Sequence, residues 1–262
     1  MTSARGRSFW RFIALLVVCA VALQLYFLAR IALMLVVDPQ STTFQRSEAW
    51  RLALQTGDHR WQQHWVDYAG VSPSLKLAVI ASEDSGFTEH SGVEWDALEK
   101  AWGRNERADA QAEQAALRAQ RREAARGSKP GAEPRPPPMA KVVGGSTITQ
   151  QLAKNLFLAG ERNFFRKGQE LVLSYELEAM LGKRRILEIY LNNVEWGEGV
   201  FGADAAAHRY FGVDAGRLAP QQAAQLAVML PAPKRFEKRP GSAYVVGRAA
   251  TVAARMGHVD VP

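Results

Sequence analysis

Apolar residues run without a charge from Phe12 to Ala29, "FIALLVVCAVALQLYFLA", and after Arg30 the pattern resumes as "IALMLVV". Such a run is long enough to span a hydrocarbon core of about 30 Å. It exceeds the apolar segment of a secretory signal, about 7–15 residues, and the small-x-small triplet Ala20-Val21-Ala22 lies inside it. The pattern therefore predicts an uncleaved transmembrane anchor over 12–37, behind a short segment 1–11. Arg5, Arg7 and Arg11 precede the run, which by the positive-inside rule leaves the N-terminus in the cytoplasm and sends the rest outside.

Beyond the anchor the pattern turns mixed. Residues 38–70 read as a juxtamembrane linker whose Trp50, Trp61 and Trp65 suit a membrane interface or a small packed subdomain. Ser72-Pro73 then supplies a cap and a first-turn proline for a helix through "SLKLAVIASED". At 100° per residue Glu83 edges the apolar face that holds Leu75 and Val79, and Asp84 falls on the opposite side. From Lys141 onward the spacing is helical almost throughout, with no strand-like alternation of useful length. The expected class is mostly α, with the folded domain over 71–262. Residues 104–138 stand apart: rich in Ala, Arg, Glu and Gln, lacking an apolar stripe and ending "KPGAEPRPPP", they predict a mobile charged insertion and a stiff polyproline segment.

Composition adds limits. With 47% apolar residues among 262, the chain can close a real core, which excludes disorder throughout. A formal charge of +7 points to an anionic partner: nucleic acid, an anionic membrane surface or a phosphorylated substrate. Cys19 is the single cysteine, so no intrachain disulfide and no cysteine-based metal site can form.

Three clusters could hold chemistry. A carboxylate at the edge of apolar surface, as Glu83 is placed, has its pKa raised by desolvation and becomes a better proton acceptor; the plain alternative is a surface acid at a fraying helix end. In "GGSTITQQLAKNLFL" the glycines permit a tight turn, and Thr147 with Gln150 has capping-box spacing. Thr147, Gln150, Gln151 and Lys154 share one side of that helix and Ile148, Leu152 and Leu156 the other. Adjacent amides over a lysine near a helix N-terminus suit sugar hydroxyls and a phosphate as well as they suit solvent. Finally, Glu170 shares an apolar stripe with Ser174, Leu177 and Leu181, so it needs a partner: Arg162, Lys167 or a divalent metal.

In order along the chain, "EDSGFTEHSG", "GGSTITQQLAKN", "RKGQELVLSYELE", "KRRILEIYLNNVEWGEGVFGADAAAHRYFG" and "LPAPKRFEKRP" resemble the five motifs of the peptidoglycan glycosyltransferases, from about Ser72 to Pro240. The same domain occurs in class A penicillin-binding proteins, but this sequence has no Ser-x-x-Lys for a transpeptidase. The resemblance is to the monofunctional biosynthetic transglycosylases. It implies a mostly helical, lysozyme-like two-lobed domain behind one transmembrane helix, anchored in the bacterial inner membrane. The expected reaction polymerises lipid II onto a lipid-linked glycan chain and releases undecaprenyl pyrophosphate with inversion.

By resemblance Glu83 is the general base and Glu170 the second acid, placing a metal or the departing pyrophosphate. Lys154, Arg162, Lys167, Gln150, Gln151, Ser146 and Thr147 would bind substrate or pyrophosphate, and Asp84, Phe87 and His90 would brace the site. Magnesium or manganese at the pyrophosphate, division or elongation synthases as protein partners, and no nucleic acid complete the expectation. The span between "HSG" and "GGST" is longer than the family leads one to expect by roughly the 104–138 insertion; in relatives it forms a mobile lid near the acceptor. A hydrolase on the same fold, or a non-catalytic scaffold, are the rival readings.

Overall fold

The computed structural model describes residues 4–55, 61–96, 145–158 and 164–262, with single positions 99, 103, 107 and 114 between them. Two compact units emerge, one made of 1–93 and 147–262 and the other of Glu94–Ser146. Most of the 104–138 insertion lies outside the described residues.

The first unit is mostly α, as the spacing predicts. Helix α1, Ala4–Leu33, contains the apolar run, and Ser8–Leu33 is long and apolar enough to cross a membrane. Its C-terminal end packs on the rest of the unit. Phe27, Ile31 and Met34 are 8%, 0% and 3% exposed and belong to the domain core. The reason is length: Ser8–Leu33 would measure about 39 Å, whereas Ser8–Tyr26 alone measures about 28 Å and matches the bilayer. The last turns are free to pack on protein.

The described residues of 38–70, a span expected as a linker, are folded structure. Helix α2, Thr43–Gln55, buries Gln45 and Leu52, and Thr43 donates from its hydroxyl to the Leu156 carbonyl at 2.9 Å. Strand β1, Gln62–Gln63, follows it. The polar surface of this stretch hides these contacts from a reading by composition, because Thr42 and Gln45 satisfy each other when buried.

Helix α3 is Pro73–Glu83, capped by Ser72, whose hydroxyl accepts from the Ser74 N–H at 3.2 Å. Helix α4 is Ile148–Phe157. Helix α5, Phe164–Asn193, is broken at Gly182, where φ of 71° requires glycine. Strands β2 (Glu195–Gly197) and β3 (Val200–Phe201) close a small sheet of order β1-β3-β2, with β1 parallel and β2 antiparallel to β3. Helices α6 (Ala203–Phe211), α7 (Pro220–Met229), α8 (Pro233–Phe236) and α9 (Ala243–Arg255) complete the unit.

Packing falls into two groups. Helix α3 lies against α7 and α9, while α4 lies against α5, which also receives α1. Leu75, Val79, Ile148, Leu152, Leu173 and Leu177 join the groups through one apolar core. Glu83, Asp84, Gln151 and Tyr190 sit where the C-terminus of α3, the first turns of α4 and the part of α5 beyond Gly182 converge.

Candidate active site

Asp84 leaves the helix. Its backbone has φ −161° and ψ 74°, so the helical wheel that placed it opposite the apolar face no longer applies. It is buried instead. One carboxylate oxygen accepts the N–H of Ile148 at 2.9 Å, and the other accepts Nε2–H of His90 at 2.8 Å. The His90 tautomer is fixed by its second partner, since Nδ1 accepts the Gly92 N–H at 3.1 Å and the ring proton must sit on Nε2. Phe87 is fully buried beneath, edge-on to the His90 ring and capped by the Lys183 amine at 4.6 Å. These three residues tie the loop after α3 to the start of α4.

Gly92 makes that loop fit. Its φ is 90°, and a Cβ there would come within 2.9 Å of Glu178 Cγ and 3.1 Å of the Ser174 carbonyl. The Gly92 carbonyl accepts the Thr147 hydroxyl at 2.6 Å. Thr147 in turn accepts the Gln150 N–H while Gln150 Oε1 accepts the Thr147 N–H, each at 3.1 Å, which is the capping box the spacing predicts. Thr147 and Gln150, expected at the substrate, are therefore buried and used by the cap; Gln150 is 1% exposed. Ser146 falls at the end of the other unit.

Glu83, still helical, faces a different way. Half-buried, it accepts Gln151 Nε2–H at 3.2 Å and the Ser82 hydroxyl at 3.3 Å. Burial pushes its pKa above the ordinary carboxylate range, the two hydrogen bonds pull it back in part, and the charge of Asp84 raises it again. Gln151 Oε1 accepts the hydroxyl of Tyr190, a contact the sequence did not signal because Tyr190 reads as one more apolar position of α5. Lys154, one turn after Gln151 on α4, is exposed.

Glu170 forms the second cluster. Buried on α5, it accepts Arg166 at 3.1 Å through one oxygen and Lys167 through the other. Arg166 was not singled out as the partner, although four-residue helical spacing could have found it. Arg162 lies outside the described residues. Both Glu170 oxygens are engaged, and among the described residues no group of three His, Cys, Asp or Glu side chains is placed to hold a metal ion without substrate oxygens.

The family model described as Transglycosylase matches residues 51–116 and 138–257, passing over 117–137 inside the insertion. A biosynthetic peptidoglycan transglycosylase of Paraburkholderia phytofirmans is 44% identical over 250 residues, covering 95% of this chain and 91% of the relative. Those of Burkholderia orbicola and Burkholderia thailandensis are each 46% identical over 241 residues, covering 92% of this chain and 86% and 82% of theirs. Glu83, Asp84 and Gln151 lie within the matched spans, as do Lys154 and Glu170, and the chain belongs to the transglycosylase family.

Proposed function

We propose that Glu83 is the general base of an inverting transfer in which lipid II lengthens a lipid-linked glycan. The chain is a peptidoglycan glycosyltransferase, as its family and relatives require. In the proposed step the 4-hydroxyl of the acceptor lipid II attacks the anomeric carbon of the donor chain. Glu83 takes the hydroxyl proton, the new glycosidic C–O bond forms from the opposite face, and the C–O bond to pyrophosphate breaks. Undecaprenyl pyrophosphate leaves as an anion and needs no proton.

The observation that carries this reading is the division between two adjacent acids. Asp84 has both oxygens spent on Ile148 and His90, whereas Glu83 is held by an amide and a hydroxyl beside apolar surface. Desolvation makes Glu83 the stronger base once ionised. Departure of the anion is favoured by fixed positive charge, for which exposed Lys154 and half-exposed Lys167 are the candidates among the described residues, together with Arg162 from the motif.

The anchor supports a location at the inner membrane, N-terminus inside and catalytic domain outside, where it meets lipid II in the bilayer. Division or elongation synthases would then be neighbours in the same membrane. A polymerisation assay tests the reading. Purified full-length protein should convert lipid II into glycan strands and leave preformed strands uncut. Release of short muropeptides from preformed peptidoglycan would indicate a hydrolase, and no product from either substrate would indicate a scaffold.

A further inference from the structure

Tyr190 lies on α5 beyond the Gly182 break, 1% exposed, and its hydroxyl stands 2.9 Å from Gln151 Oε1. Gln151 Nε2 stands 3.2 Å from Glu83 Oε2. An amide has one accepting end and one donating end, so whatever fixes the first fixes the second. Two facts give the direction. Burial, with Glu83 and Asp84 nearby, holds the phenol of Tyr190 protonated far above neutral pH, so it remains a donor. Turning the amide over would set Oε1 against the Glu83 carboxylate, two acceptors with no proton between them.

We infer that Tyr190 is a positioning residue, which holds Gln151 in the orientation that donates to ionised Glu83 and so keeps the base in its proton-accepting form. The inference rests on the reading of Glu83 as the base. Among the described residues, the groups that bear on Glu83 are Ser82 on α3 and Asp84 at its cap, Gln151 from α4, and, through that amide, Tyr190 from α5. Asp84 is itself pinned by His90 and Ile148, while the Tyr190 hydroxyl bears directly on the accepting end of the amide.

The sign is fixed by which form the amide stabilises. Donation from Nε2 favours the carboxylate, so its loss raises the pH at which Glu83 ionises. Tyr190→Phe keeps the ring and removes the donor. The acidic limb of kcat/KM should move up by about one unit, which is a deficit of about tenfold at low pH that closes as pH rises past the new limb. KM should change less than about twofold, since Tyr190 is buried and would not touch lipid II.

The experiment uses full-length protein in detergent with lipid II, comparing wild type, Tyr190→Phe, Gln151→Ala and the double variant across pH. Tyr190→Phe should shift the limb, and in the Gln151→Ala background it should cost nothing further. An unmoved limb, a deficit independent of pH, or an additive loss in the double variant would overturn the inference. If Tyr190→Phe fails to fold, the Gln151→Ala limb decides: the same upward shift supports the relay, and no shift overturns it. Glu83→Gln is measured alongside. Normal polymerisation by that variant would remove the base reading itself, whereas a dead Glu83→Gln with an unmoved Tyr190→Phe limb would remove only the relay.

Discussion

The carboxylate of Asp84 accepts the backbone N–H of Ile148, 64 residues further along the chain, and so fixes the end of one helix on the start of another. Its neighbour Glu83 is thereby held at the junction with its own carboxylate turned to Gln151. In the proposed mechanism the adjacent acids divide the work: one fixes geometry, and the other takes a proton.

Asp84→Asn should act through structure. Both oxygens accept, and His90 cannot change tautomer without losing the Gly92 N–H, so an amide must set its own donor against a donor. A loss of about 2 kcal/mol is expected. Thermal melting checks it, with a shift of several degrees expected and an unchanged midpoint counting against the brace.

Stability should depend on the anchor's last turns. Phe27, Ile31 and Met34 are core residues, and Arg185 donates to the Met34 carbonyl at 2.8 Å and pairs with Asp38 at 2.7 Å. A variant beginning at Asp38 exposes the surface they cover; one beginning at Val21 retains it. The shorter protein should melt lower by about 10 °C or more, given about 2 kcal/mol for each buried side chain. Equal midpoints would show that the anchor is only a tether.

Much of this was legible. The capping box of α4 follows from Thr147 and Gln150 because a cap is local, and Ser72-Pro73 marks the start of α3 for the same reason. The separation of Glu83 from Asp84 was also visible as helical angle, but the burial was not: Asp84 is the more buried because the chain leaves the helix there. What stayed hidden depends on distant partners. The bonds of Gln24 to Glu176 and Gln169, the packing of helix α2 and the Tyr190 hydroxyl are contacts across 39 residues or more, or are made by polar groups that look solvated in sequence. Periodicity reports which face is apolar and says nothing of what covers it.

Glu195 offers a pH test on a different acid. Burial, with Glu48 and Glu237 nearby, pushes its pKa up to about 7 from 4.5, while Lys234 at 3.4 Å opposes the rise. The folded state thus holds a proton that the unfolded chain releases near pH 4.5, so stability falls as pH rises from about 4.5 to about 7 and then levels. Glu195→Gln should remove that decline, stabilising the protein by up to about 3 kcal/mol at pH 8 and little at pH 4. Melting curves at the two pH values decide, and equal effects at both would contradict the shift.

Lys154→Ala should lose about 10²-fold in turnover with the fold intact, as expected when a charge-stabilising group is removed from a departing anion. Steady-state rates with lipid II measure it. Wild-type turnover in the variant would place the pyrophosphate elsewhere.

The most direct measurement is lipid II polymerisation by full-length Glu83→Gln, with its fold verified by circular dichroism. Glutamine preserves size and hydrogen bonding to Gln151 but cannot accept the acceptor's proton. Chain elongation and pyrophosphate release should fall together by about 10² to 10⁴-fold. Full polymerising activity in the folded variant would contradict Glu83 as the base.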